Sequence, residues 1–75
     1  MNDIVKEKMQ LLKDFGILSG CTRKEKMIVH KAIASCENEL QMEQKIYNLI
    51  HGTEKINDFI ARHMTQLRQL KTITR

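Results

Sequence analysis

The chain has 75 residues, a formal net charge of +4, no proline, no tryptophan, three glycines and two cysteines. This length allows one domain at most, close to the lower limit for independent folding, and leaves little room for an enclosed catalytic cleft. Turn residues do not recur every about 8–12 positions as a β-fold requires, and no apolar run approaches the roughly 18 residues of a membrane-spanning helix.

Abundant Lys, Glu, Leu, Met and Gln instead point to an all-α fold. The opening MNDIVKEKMQ carries charge where a secretion signal needs its apolar stretch, so the expected location is cytoplasmic.

A first helix is expected over about 3–15, capped by Asn2 or Asp3. Its apolar residues Ile4, Val5, Met9, Leu11, Leu12 and Phe15 recur at helical spacing, and Gly16 follows at the position where a helix end takes a left-handed backbone. The connection ILSGC places Ile17 and Leu18 where they can fold back onto the core.

A second helix is expected over about 22–50. It opens with TRKE, in which Thr22 and Glu25 can cap one another's amides. Val29, Ile33, Cys36, Leu40, Glu43, Tyr47 and Ile50 then alternate spacings of four and three, a heptad seam interrupted by one charge, Glu43. Met42, Ile46 and Leu49 widen that apolar face.

Gly52 is where the pattern slips. Counting seven from Ile50 reaches Asn57, whereas the next seam (Ile56, Ile60, His63, Leu67, Leu70) begins one residue earlier and is broadened by Phe59, Met64 and Ile73. A turn at Gly52, with Thr53 capping a third helix over about 54–71, accounts for the slip; one rod running through Gly52 is the alternative. The expected architecture is a small three-helix antiparallel bundle, short–long–medium, or a helical hairpin. With three aromatic residues to cover so long a seam, self-association or a partner is expected to complete it.

The cysteines, 15 residues apart, would lie roughly 20 Å apart along a helix, too far for a disulfide. Cys21, His30 and Cys36 match no metal-ligand spacing, and no nucleophile–base pair or phosphate-cradling glycine loop is present, so neither enzyme activity, metal nor cofactor is expected. In an antiparallel hairpin about Gly52, Glu43 falls within about a turn of His63, a pair that would fix register and respond to pH.

Residues 1–58 contain nine Lys/Arg and nine Asp/Glu, so the charge excess is Arg62, Arg68, Lys71 and Arg75. A second basic cluster, Arg23, Lys24, Lys26, His30 and Lys31, opens helix 2. At that end the helix dipole disfavours cations.

Two functions follow. The first is protein–protein interaction by helix packing, through Ile17, Leu18, Met27, Ile28, Met42, Ile46 and Leu49; Met42→Glu or Leu49→Glu would then abolish binding. In size and hairpin style alone, with no shared motif, the chain resembles small co-chaperones of bacterial secretion systems. The resemblance implies an adaptor or chaperone that covers a partner's helix. The alternative is a nucleic-acid-binding regulator using Arg23, Lys24, Lys26, Lys31, Arg68, Lys71 and Arg75.

Overall fold

The computed structural model describes the backbone of residues 2–73 and the side chains of residues 3–65. Within these residues the chain is entirely helical, with four helices: α1 (Asn2–Asp14), α2 (Arg23–Ala34), α3 (Glu39–Ile50) and α4 (Ile56–Ile73).

The expected long second helix is two helices. At Ser35 the α2 backbone is still right-handed (φ −85°), and the Ser35 hydroxyl donates to the Ala32 carbonyl at 2.9 Å. Asn38 then swings to an extended conformation (φ −153°, ψ 170°), and its side chain accepts from the Gln41 amide at 2.9 Å. The Gln41 side chain accepts in return from the Glu37 amide at 3.1 Å. Short polar side chains thus offer the backbone local partners that compete with helix continuation. An unbroken helix over 23–50 would need roughly 42 Å, whereas the longest dimension of the molecule is 38 Å.

The other boundaries follow local chemistry. Gly16 (φ 75°) ends α1: its amide donates to the Lys13 carbonyl at 3.0 Å, and the Ile17 amide donates to that of Leu12 at 2.9 Å. This paired closure needs a left-handed residue and draws Ile17 back over Leu12. The Thr22–Glu25 box is formed in both directions, at 2.8 and 3.1 Å. Gly52 (φ 79°) turns the chain after α3, with the Glu54 amide donating to the Asn48 carbonyl at 3.1 Å. Thr53 stays within this turn and α4 begins at Ile56, where Lys55 supplies the carbonyl for the Phe59 amide at 3.0 Å.

The break re-aims α3. Met42, Ile46 and Leu49 are buried, while the seam residues Leu40 and Tyr47 face solvent at 75% and 56% exposure. The core is completed by Val5, Leu12 and Leu18, by Ile28, Val29, Ala32 and Ile33 of α2, and by Phe59 and Ile60 of α4, with no buried polar side chain among the described residues. Nor does α4 fold back on α3 as an antiparallel hairpin. It packs chiefly on α2, while α1 lies against both α2 and α3. The seam residues Leu67, Leu70 and Ile73 have side chains outside those described.

Candidate functional site

Of the seven residues read as partner-binding, Leu18, Ile28, Met42, Ile46 and Leu49 are buried in the chain's own core. The break at 35–38 turns Met42, Ile46 and Leu49 inward, while Leu18 and Ile28 pack on the core ahead of it. Ile17 is half-buried, packed on the core, and Met27 is exposed. A glutamate at Met42 or Leu49 would therefore test folding rather than docking.

Two solvent-facing surfaces carry chemistry in their place. The first lies on α1 and α3. Ile4 and Val5 line a recess of about 120 Å³ together with Cys36, Glu37, Asn38, Glu39 and Met42. One turn further along α1, the Lys8 ammonium stands 3.8 Å from the Glu43 carboxylate. The two helices therefore run in the same direction. At 3.6 residues per turn, Leu11 and Phe15 lie within about 60° of Lys8 around α1, and Leu40 and Tyr47 within about 60° of Glu43 around α3. All four large apolar side chains are exposed, Phe15 to 60%, and they flank a single ion pair. Tyr47 is steadied by His51, whose ring centroid is 4.1 Å away.

The second surface is α2. Arg23, Lys24, Lys26, His30 and Lys31 are all exposed. Across an open groove of about 390 Å³, Lys26 and His30 face Lys6, Gln10 and Lys13 of α1 over an apolar floor of Met9 and Leu18. The set of basic residues narrows here: Arg68 and Lys71 sit on α4 with side chains outside those described, and Arg75 lies outside the described residues altogether.

His63 does not meet Glu43, because Glu43 turns to Lys8. Its Nδ1 is 2.9 Å from the Phe59 carbonyl and its Nε2 is 3.4 Å from the Lys45 ammonium. A carbonyl only accepts and an ammonium only donates, so the proton sits on Nδ1 and the Nε2 lone pair accepts from Lys45. Burial pushes the imidazole pKa below its ordinary value; the Phe59 hydrogen bond opposes this, while the Lys45 and Arg62 charges add to it. Lys45 also lies 5.7 Å from the centre of the Phe59 ring. This small cluster ties α3 to α4.

Both cysteines are free thiols. Burial, followed by the Glu25 charge, raises the Cys21 pKa against a smaller opposing effect of Lys26, which keeps the thiol protonated and poorly nucleophilic. Among the described residues no three His, Cys, Asp or Glu side chains gather to hold a metal, and no helix is long and apolar enough to cross a membrane. Comparison with protein-family models, with curated proteins and with solved structures finds no match to this chain.

Proposed function

We propose that the chain is a non-enzymatic helical protein-interaction module that covers an amphipathic helix of a partner protein with its α1–α3 face. The observation that supports this is the group of four exposed apolar side chains, Leu11, Phe15, Leu40 and Tyr47, around the Lys8–Glu43 pair. Single exposed apolar residues are ordinary, but a contiguous group on adjoining helices marks an interaction surface. Two helices running side by side offer a third helix a shallow furrow, which an apolar stripe at helical spacing fills. Fully burying side chains of this size stabilises by about 1.5–3 kcal/mol each before the entropic cost of association.

The test uses the double variant Leu40→Glu/Tyr47→Glu. Both positions face solvent, so the helical circular dichroism should persist and stability should change by less than about 0.5 kcal/mol. Affinity capture from nuclease-treated extract should recover a protein with the wild-type chain and lose it with the variant. Equal capture by both chains would sink the reading. Sedimentation of the purified wild type as a dimer, and of the variant as a monomer, would make the occupant a second copy.

A further inference from the structure

We infer that the solvent face of α2, together with Lys6 and Lys13 across the groove, binds the phosphodiester backbone of double-stranded nucleic acid by charge rather than by base sequence. Taking Lys26 as the origin and about 100° per residue, His30, Arg23, Met27, Lys31 and Lys24 follow around one arc of about 160°. That arc holds no acid. Glu25, the one carboxylate of α2, lies about 100° to the other side of Lys26 and is engaged with the Thr22 amide. The acids of α1, namely Asp3, Glu7 and Asp14, do not line the groove; Asp14 stands at its edge, accepting from the Gln10 side chain at 2.8 Å.

The arrangement is unfavourable in the free protein. A solubilising face intersperses both signs, and a self-stabilising one sets acids three or four residues from its cations. Here the residues three and four beyond Arg23 are Lys26 and Met27, and those beyond Lys24 are Met27 and Ile28. Arg23 and Lys24 also stand in the first turn, against the helix dipole. The ion pairs found among the described residues use Lys8 and Arg62, not these cations. An anionic partner relieves every one of these repulsions.

The shape of the patch selects among anions. Arg23 to Lys31 span roughly 12 Å along the helix axis, too long for one phosphate and matched to a row of them. Met27 is the one exposed large apolar residue on the arc, which leaves a protein partner few anchors. The face carries no Phe, Tyr or Trp: Phe59 is buried, Tyr47 belongs to α3 and Phe15 lies about 180° from Lys6 around α1, so its one ring is the small imidazole of His30. Single strands are gripped by base stacking on aromatic residues, whereas a duplex presents its phosphates without needing any.

The experiment is fluorescence anisotropy of the full chain with a labelled DNA duplex of about 20 base pairs, from 50 to 200 mM KCl. Four to six phosphate contacts give a log–log salt slope of about −3.6 to −5.4, a loss of at least about a hundredfold in affinity over that range. Arg23→Gln/Lys26→Gln/Lys31→Gln should lower the slope by about 2.7, whereas Lys55→Gln, outside the face, should leave it unchanged. Circular dichroism of each variant confirms that the fold persists. Absence of binding at 50 mM, or a slope insensitive to the triple substitution, overturns the assignment. Tighter binding of the single strand overturns the duplex preference, and equal competition by polyglutamate overturns nucleic acid in favour of an acidic polypeptide.

Discussion

Along α2 the solvent-facing arc is cationic around one methionine, whereas the α1–α3 face sets four exposed apolar side chains around one neutralised ion pair. Each surface stands over the same aliphatic core, and each helix contributes its opposite side to that core. The difference lies in how the helices begin. α2 starts at a Thr–Glu box that removes its only carboxylate from the exposed arc. α3 starts at an Asn–Gln cap that rotates Leu40 and Tyr47 outward. In a chain this small, the choice of cap decides which chemistry is shown to solvent.

Both surfaces depend on the core beneath them. Ile46 is buried under α3, and Ile46→Ala should cost about 2–5 kcal/mol, read as a lower midpoint in urea. For a 75-residue domain that is a large part of the total stability, so both surfaces should be lost in one transition. Two separate transitions would show that α3 folds apart from α2.

A smaller effect is expected at the cap itself. Asn38→Ala removes the acceptor for the Gln41 amide and should cost about 1 kcal/mol. Hydrogen exchange should accelerate first over 39–42 and leave α2 protected. Gly52→Ala should cost a similar amount, about 1–2 kcal/mol, since the position needs a left-handed backbone although nothing crowds it. Sedimentation of Gly52→Ala/Thr53→Ala should then show a changed oligomeric state if the turn fails and the helices extend.

The smallest effect concerns the α3–α4 tie. The lowered pKa of His63 means that the unfolded chain binds a proton more readily than the folded one near pH 6.5. The contribution of neutral His63 is therefore present above pH 6.5 and is lost as the pH falls through 6.5 toward the lower folded value. The melting temperature should drop across that window. His63→Gln should flatten that part of the profile, and an unchanged profile would rule out His63 as its source.

What could be read from the residues alone was local. The Thr22–Glu25 box and the left-handed glycines at 16 and 52 depend on neighbours within a turn, so their residue types announce them. The Asn38 cap was written just as locally, as NELQ, an Asn followed three residues later by Gln ahead of an apolar run. Heptad counting passed over it because Ile33, Cys36 and Leu40 keep the four–three rhythm across the break. The rhythm therefore puts Leu40 and Tyr47 on the seam, whereas in the folded chain they face solvent and Met42 and Leu49 are buried. The preference of α4 for α2, and the pairing of Glu43 with Lys8, depend on tertiary packing that no spacing within one segment encodes. The acid-free arc of α2 was visible as a basic cluster, but its groove with Lys6 and Lys13 needed α1 to be laid beside it.

The joint at 35–38 contains neither glycine nor proline, and no residue there has a positive φ. Nothing steric forbids a continuous helix, so the bend is held by its caps, about 1 kcal/mol each, and by the burial of Met42, Ile46 and Leu49 that it permits. Loss of the caps at positions 38 and 41 would not straighten it alone; a rod would also need a second copy to cover Met42, Ile46 and Leu49 as a coiled-coil strip, and would then be a building block for longer assemblies.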